Sequence, residues 1–176
     1  ASEVYAVGGG GTILSLTDKR SATGAWATAM TSSSTKDLHG IWGSGDNDIF
    51  AAGESGSLSW YGGHGWASQT SGATKSLRFV WGPSNQEVYA FGEHGAMVHT
   101  SRVLDPNSWK AVAHGAGNIT FLGAWGGSAK DIHVVGSYGT ILNYNGTSCT
   151  KATTGTTNHL WGVWGSAVNQ IWVAGA

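Results

Sequence analysis

The sequence predicts an all-β protein, a β-propeller of four-stranded antiparallel blades, and two observations support this prediction. The first is an internal repeat marked by the tryptophans of four Trp-Gly pairs, which are 39, 44 and 39 residues apart: Trp42, Trp81, Trp125 and Trp164. The second is the composition, because the 176 residues include 29 Gly and 10 Trp and only 11% are charged. Such a composition suits short strands joined by tight turns. Repeats of about 40 residues form solenoids or propellers.

Each repeat divides into four predicted strands. The first ends at the Trp-Gly pair, as in residues 38–43, and a turn rich in Asn, Asp and Ser follows it. The second is a nearly continuous apolar run, as in residues 49–53, which indicates a strand covered on both faces. The third alternates in polarity, and the fourth is polar apart from one anchor. The anchors are Trp26, Trp66, Trp109 and, in the last complete repeat, Cys149. Four strands per unit is the pattern of a propeller blade.

A Gly-x-x-Gly motif joins the second strand to the third and predicts a short hairpin, because glycine accepts positive φ at little cost. The two central residues differ from repeat to repeat, and propeller ligands bind to variable loops of this kind. The candidate ligand-binding residues are therefore Glu54, Glu93, His94 and Tyr138. Glu93 and His94, with His99 nearby, combine charge, a donor and an imidazole. The competing interpretation is that all four are solvated turn residues.

The four repeated tryptophans, Trp42, Trp81, Trp125 and Trp164, either line a pocket or wedge between blades. Because aromatic residues at a fixed place in every repeat are mostly packing residues, we expect a structural role. An acidic residue also precedes four of the five second strands, at Glu3, Asp48, Glu87 and Asp131, and Gln170 precedes the fifth. These carboxylates would form a ring on one face, but turn capping explains them better than cation binding.

Several function classes receive no support from the sequence. The nine Lys and Arg are scattered without a basic stripe, which argues against nucleic acid as a partner. No apolar run approaches the roughly 18 residues that would predict a membrane span. The seven histidines lack the spacing of a zinc site, and no nucleophile elbow, phosphate loop or dinucleotide motif is present. We therefore expect no metal, no cofactor and no catalytic residue. Cys149 is the single cysteine, and a buried thiol in place of an aromatic residue is expected there.

The repeats predict one propeller domain over residues 1–176, with units at approximately 1–36, 37–75, 76–118, 119–158 and a partial unit at 159–176. The chain begins and ends on a second strand, which is compatible with four to five blades. An unpaired apolar strand edge favours association. We expect two chains to complete each other's terminal blades in a ring of about eight blades. A piece of a longer array would have the same ends.

The segments from Trp42 to Gly56, from Gly136 to Thr147 and from Trp164 to Gly175 carry a more specific pattern. It reads approximately Trp-Gly-Ser, Asn-Asp-Ile-Trp-Ala-Val-Gly and Gly-Thr-Ile-Leu. The pattern resembles the tandem propeller repeats of surface and secreted proteins from myxobacteria and other environmental bacteria. That resemblance implies an extracellular or cell-surface location. The repeats depart from WD repeats, which would show recurring Gly-His and Trp-Asp pairs, and the sequence lacks the Asp box of sialidases.

Three functions are compatible with these observations. The leading one is a non-enzymatic binding or scaffold module whose ligand is carbohydrate, as in a lectin, or protein. Its basis is repetition without a catalytic constellation, together with Trp and Tyr that can stack on sugars. The second is a hydrolase or lyase acting on polysaccharide, for which Glu54, Glu93 and Asp105 are the candidate acids. The third is a ligand-free structural repeat that self-assembles.

Overall fold

The structure, a computed structural model, describes residues 4–16, 26–28, 32–101 and 104–176. This part of the chain forms five antiparallel sheets, numbered here in chain order. Sheet 1 contains β1 (Val4–Val7), β2 (Ile13–Leu16) and β3 (Trp26–Thr28). Sheet 2 contains β4 (Leu38–Gly45), β5 (Asp48–Gly53), β6 (Leu58–Tyr61) and β7 (Trp66–Ser68). Sheet 3 contains β8 (Leu77–Ser84), β9 (Glu87–Gly92), β10 (Met97–Thr100) and β11 (Lys110–Ala111). Sheet 4 contains β12 (Phe121–Ser128), β13 (Asp131–Gly136), β14 (Ile141–Tyr144) and β15 (Cys149–Lys151), and sheet 5 contains β16 (Leu160–Ala167) and β17 (Gln170–Gly175).

The strands of each sheet pair in chain order, as the four-segment repeat predicts. The first two strands share one register in every sheet that contains both. In sheet 2, Leu38 lies opposite Gly53 and Gly40 lies opposite Ala52, so that a bulge occurs at residue 39. The same irregularity recurs in sheets 3, 4 and 5. A bulge turns the extra residue out of the ladder, so the second residue of each first strand is available to the surface.

The core lies between successive sheets and consists mainly of second-strand residues. Phe50, Ala52 and Leu58 of sheet 2 pack with Leu77 and Val88 of sheet 3 in one buried cluster. An equivalent cluster joins sheets 3 and 4. The strands β5, β9 and β13 are almost entirely buried, as an apolar run without alternation predicts. Burial of each large side chain in these clusters stabilises the fold by about 1.5–3 kcal/mol.

The first strands of sheets 2 to 5 lie next to one another in chain order. Their backbones approach closely where the sequence has glycine. A Cβ placed on Gly40 would lie 2.6 Å from the Cα of Phe79, which belongs to the first strand of the next sheet. A side chain at this position would push the two strands apart, so glycine permits the sheets to converge on their first strands.

The two end sheets are incomplete. Sheet 1 has no first strand among the described residues, and sheet 5 consists of β16 and β17 alone. Trp172 of β17 is 55% exposed, whereas Phe50, at the equivalent position of β5, is 0% exposed. The difference arises because a following sheet covers Phe50, while the outer face of sheet 5 lies open. Ring closure and self-association therefore remain predictions, and Glu3 lies outside the described residues.

Within the described ranges, no helix has the length and apolar character that crossing a membrane requires.

Candidate functional site

The Gly-x-x-Gly motifs form four equivalent turns, called tip turns here, at residues 9–11, 54–56, 93–95 and 137–139. The first three are single 3-10 turns rather than the simple two-residue hairpins that the motif predicts. In each tip turn the backbone N–H of the residue after the last glycine donates a hydrogen bond to the carbonyl of the first residue of the turn. Ser57 donates to the Glu54 carbonyl at 2.9 Å, and Ala96 donates to the Glu93 carbonyl at 2.9 Å.

The last glycine of each tip turn is required by its surroundings. Gly56 has φ +74°, and a Cβ there would lie 1.9 Å from the Ala73 carbonyl oxygen. Gly139 has φ +62°, and a Cβ there would lie 1.9 Å from the Thr156 carbonyl oxygen. Both the left-handed backbone and the lack of space exclude other residues. Each tip turn is thereby fixed against the loop that leads into the next sheet.

The residue before that glycine also has a left-handed backbone, although it is not glycine in three of the four turns. The φ angles are 54° at Ser55, 56° at His94 and 57° at Tyr138. Such a conformation costs about 1–2 kcal/mol for an ordinary L-residue. Non-glycine residues in this region occur disproportionately at functional sites. The tip turns therefore hold three different side chains at equivalent positions.

The tip turns of sheets 3 and 4 border a depression of about 490 Å³, called the tip groove here. It lies where the second strands end and the first strands of sheets 3, 4 and 5 begin. Volumes of this size are typical of ligand sites. The residues that line it are Arg78, His94, Asn118, Thr120, Leu122, Ser137, Tyr138, His159 and Trp161.

Three aromatic rings form a row along the tip groove. The Tyr138 and His159 rings lie 5.8 Å apart, and the His159 and Trp161 rings lie 5.5 Å apart, both edge to face. A 3.4 Å hydrogen bond from the Tyr138 amide to Nδ1 of His159 connects the first pair. Tyr138 is 67% exposed and Trp161 is 57% exposed. Large aromatic side chains held in fixed positions at a surface supply contact area to a ligand.

A charged pair lies at the other end of the tip groove. Nη2 of Arg78 donates to Oε1 of Glu93 at 2.5 Å, and both side chains remain partly exposed. An exposed ion pair of this kind contributes only about 0–1 kcal/mol to stability. Because a guanidinium has five N–H donors, Arg78 retains donors for a ligand acceptor. Glu93 thus orients a cationic group beside the groove.

The structure brings together part of the set that the sequence predicts. His94 and Tyr138 line the tip groove, and Glu93 adjoins it through Arg78. Glu54 occupies the tip turn of sheet 2 and does not line the groove. Whether these residues bind a ligand stays a prediction.

Sequence reasoning missed Arg78, His159 and Trp161. The signal for two of them was the second position of each first strand, where His39, Arg78, Leu122 and Trp161 differ completely between repeats. Variation at one position of an otherwise constant strand identifies side chains that the fold does not require. His159 precedes its strand by one residue and carries no comparable signal.

The repeated tryptophans sit on the first strands and contact aromatic residues of the second. Trp42 pairs with Phe50, Trp81 with Tyr89, and Trp164 with Trp172. The Trp42 ring also approaches Gly82 of the next sheet, and the Trp125 ring approaches Gly165. Trp164 differs from these because it is 60% exposed on the open face of sheet 5.

The acidic residues before the second strands bond within their own sheets. Asp48 accepts hydrogen bonds from Ser44 at 2.5 Å and from the Trp60 indole at 2.8 Å. Oε2 of Glu87 lies 2.5 Å from Nε2 of His99. Asp48 and Glu87 therefore connect their turns to the third strand, whereas Oδ1 of Asp131 lies 3.3 Å from Nε2 of His133 on its own second strand. In the ranges that the structure covers, no three His, Cys, Asp or Glu residues are grouped as a metal site requires.

The candidate hydrolytic acids occupy separate loops. Glu54 and Glu93 lie in the tip turns of sheets 2 and 3, and Asp105 lies in the loop between β10 and β11. Oδ1 of Asp105 accepts a hydrogen bond from the Asn107 amide at 3.0 Å, as a turn residue does. The enzymatic alternative stays untested.

Cys149 begins β15 and pairs with Tyr144, just as Trp66 begins β7 and pairs with Tyr61. It packs against the cluster that contains Tyr89 and Phe121. Burial raises the pKa of the Cys149 thiol. A neutral, half-buried thiol is a packing group rather than a nucleophile.

Comparison with solved structures places this arrangement among known folds. A YCF48 protein bound to D1 peptide aligns with a TM-score of 0.70 at 15% identity, over 98% of this chain and 56% of that one. YCF48 from Cyanidioschyzon merolae aligns with a TM-score of 0.74 at 11% identity, over 99% and 63%. The C-terminal WD40 domain of Sif2 aligns with a TM-score of 0.69 at 14% identity, over 99% and 52%.

The chain is a β-propeller. The repeated four-stranded sheets and these structural neighbours together confirm the predicted fold class. The chain spans between about half and two thirds of the length of these neighbours. No family model matches the sequence. No curated protein matches it either.

Proposed function

We propose that this chain is a non-enzymatic binding module whose ligand is a segment of another protein, received in the tip groove. The observation that supports this most directly is the convergence of Arg78, His94, Tyr138, His159 and Trp161 around one depression. These side chains come from three sheets and differ from their equivalents in other repeats. The repeated residues serve the scaffold, and the variable ones carry the specificity.

The chemistry of the tip groove suits an extended peptide with two features. An apolar or proline residue would pack against the Tyr138 and Trp161 rings, because flat aromatic surfaces favour such contacts. An acidic residue would bond to the remaining donors of Arg78. Asn118, Thr120 and Ser137 add polar groups for the peptide backbone. One structural neighbour is a propeller described with a bound peptide, which supports this ligand class.

A random peptide library displayed on phage tests the proposal. The wild-type protein should enrich sequences that combine an acidic residue with proline or an aromatic residue. Trp161→Ala should weaken the best synthetic peptide by at least about tenfold, which is the scale of an aromatic hot spot. Trp164→Ala is the matched control, since it removes an equally exposed tryptophan from the same strand outside the groove. Failure to enrich any peptide, or equal loss in both variants, would contradict the proposal.

Carbohydrate is the competing ligand, because exposed Tyr and Trp rings also stack on sugars. A glycan array with the same two variants separates the two forms. If the wild-type protein binds glycans, Trp161→Ala abolishes that binding and no peptide is enriched, then the ligand of the tip groove is a carbohydrate and the module is a lectin.

Two further components belong to the proposed function. The first is an extracellular or cell-surface location, which rests on the resemblance of the repeats to those of bacterial surface and secreted proteins. Fractionation of the source cells tests it, and recovery from the cytoplasm alone would contradict it. The second is self-association, for which the exposed rings of Trp164 and Trp172 on sheet 5 supply an apolar surface. Light scattering across a concentration series tests this component.

A further inference from the structure

The amide of the second residue of a tip turn faces the segment that leads into the next sheet. In sheet 1, the Gly10 amide donates to Oδ1 of Asp37 at 2.8 Å. In sheet 4, the Tyr138 amide donates to Nδ1 of His159 at 3.4 Å. Asp37 and His159 each stand immediately before the first strand of the following sheet. One position of the repeat therefore supplies the acceptor in both places.

The tip turn of sheet 3 has the same shape but lacks this acceptor. His94 has φ 56° and Gly10 has φ 62°, so the two amides are presented alike. The residue that corresponds to Asp37 is Thr120, and its carbonyl accepts a hydrogen bond from the Ser137 amide at 3.0 Å. Within the described ranges, no hydrogen bond joins the His94 amide to Thr120 or to another residue. A short threonine side chain leaves open what an aspartate closes in sheet 1.

The surroundings of the His94 amide favour an anion. His94 and Thr120 line the tip groove together with Arg78. Glu93, the residue before His94, holds the Arg78 guanidinium beside the same turn. No Asp or Glu is among the described residues that line the tip groove. An acceptor that is itself charged would form charge-assisted hydrogen bonds there, which are the stronger kind.

We propose that the His94 amide and Arg78 form a carboxylate subsite of the tip groove. An aspartate or glutamate side chain of the bound peptide would take the place that Asp37 takes in sheet 1. This inference rests on the proposed function and assigns a position to the acidic residue of its ligand. A carboxylate has two oxygens, so one accepts from the His94 amide while the other faces Arg78. Asp37 supports the choice of ligand, because the repeat already holds an aspartate carboxylate on the equivalent amide.

The tip turn of sheet 2 offers a comparison within the same molecule. Its second residue is Ser55, with φ 54°, and the residue that corresponds to Asp37 is Ser76. In the described part of the chain, the Ser55 amide also lacks a hydrogen bond. Ser55 does not line the tip groove, and Arg78 is bonded to Glu93 in the turn of sheet 3. Ser55 therefore shows what an unpaired tip amide does without an oriented cation beside it.

Titration of the ¹⁵N-labelled protein with sodium acetate tests the subsite without any peptide. Sodium chloride at equal ionic strength is the reference. We expect the His94 amide proton to move downfield with acetate, and to move further than that of Ser55. The Gly10 amide, which Asp37 already occupies, should not respond. No acetate-specific shift at His94, or shifts of equal size at His94 and Ser55, would overturn the inference.

Thr120→Asn supplies the missing acceptor from within the chain and adds no charge. It should abolish the response of the His94 amide to acetate and weaken the best synthetic peptide by at least tenfold. A side chain of this length is expected to fit, because Asp37 occupies the equivalent position, and circular dichroism checks the fold. Ser76→Asn is the matched control, since it closes the tip turn of sheet 2 outside the groove and should leave peptide binding unchanged. Equal peptide affinities of the two variants would contradict the subsite.

A double-mutant cycle with the peptide separates this inference from the proposed function. Replacing the acidic residue of the peptide by its amide should weaken binding to the wild type by at least tenfold. The same replacement should have little effect on binding to Thr120→Asn, where the subsite is already closed. An equal loss with both proteins would overturn the inference while the peptide ligand stands. If no peptide is enriched and acetate still shifts the His94 amide, the subsite is supported and the peptide ligand is contradicted.

Discussion

The Trp125 ring lies against Gly165, and three ring atoms would come within 2.9 Å of a Cβ placed on that glycine. Trp125 is on the first strand of sheet 4 and Gly165 is on the first strand of sheet 5. Trp42 is placed in the same way against Gly82 of sheet 3. In these two pairs the tryptophan and the glycine contact each other across the interface between sheets and not along one strand.

Replacement of this glycine should therefore weaken the attachment of the last sheet. Gly165→Ala forces the Trp125 ring to shift, and overpacking of this kind costs about 1–3 kcal/mol. Gly162→Ala is the control, because among the described residues no atom beyond the two chain neighbours lies within 4 Å of a Cβ at that position of the same strand. Chemical denaturation of both variants measures the difference. Equal unfolding midpoints would show that the ring moves aside without cost.

A second prediction concerns the tip turn of sheet 2. Gly56→Ala should destabilise the protein by more than about 2 kcal/mol, since it adds a clash with the Ala73 carbonyl to the cost of a left-handed alanine. Ser55→Gly, one residue earlier, relaxes a positive φ and should leave stability unchanged or slightly higher. Thermal unfolding of the two variants provides the measurement. A mild effect of Gly56→Ala would mean that the loop can move away from the turn.

The sequence predicted the sheets well because the same physical demands recur in every repeat. The Trp-Gly pair, the apolar second strand and the last glycine of the tip turn each satisfy a packing or backbone requirement that is visible in four copies. The tip turn itself was predicted less well. A left-handed backbone conformation is uncommon for tyrosine, as it occurs at Tyr138. The neighbouring sequence contains no pattern that predicts it.

The candidate site was predicted only in part, because its residues come from three different sheets. His94 and Tyr138 could be identified because they vary within a fixed turn. Trp161 becomes part of the same groove only because sheet 5 follows sheet 4 in space and places it near Tyr138. Contacts between neighbouring sheets depend on the angle and spacing at which the sheets pack, and the repeat pattern of a single chain does not contain these quantities.

The left-handed backbone at Tyr138 leads to a third prediction, which separates stability from binding. Tyr138→Asn places a residue that tolerates this conformation and should raise the free energy of unfolding by up to about 1 kcal/mol. The same change removes an exposed ring from the tip groove and should weaken peptide binding.

Denaturation and binding titration of the same preparation test this pair of effects. Trp161→Ala provides the comparison, since it should weaken binding without a gain in stability. A destabilised Tyr138→Asn variant would show that the contact of Tyr138 with His159 outweighs the backbone strain.

The last prediction concerns alkaline pH. Burial raises the pKa of the Tyr89 hydroxyl, and the neighbouring Tyr144 and Glu87 raise it further. The pKa values of Tyr144 and Cys149 are raised as well, mainly by burial. The folded chain therefore keeps protons that the unfolded chain releases, so stability falls as pH rises through the ordinary pKa values of Cys and Tyr, about 8.5 and 10. Between pH 8 and pH 11 we expect Tyr89 alone to account for a loss of about 1 kcal/mol.

Urea unfolding of the wild type, Tyr89→Phe and Phe91→Leu at pH 8 and pH 11 measures this dependence. Tyr89→Phe removes the buried hydroxyl and should reduce the loss of stability at pH 11. Phe91→Leu, in the same buried cluster, removes no ionisable group and should lower stability equally at both pH values. If Tyr89→Phe loses as much stability at pH 11 as the wild type does, the unfolding at high pH originates elsewhere in the chain, and the burial of the Tyr89 hydroxyl does not govern it.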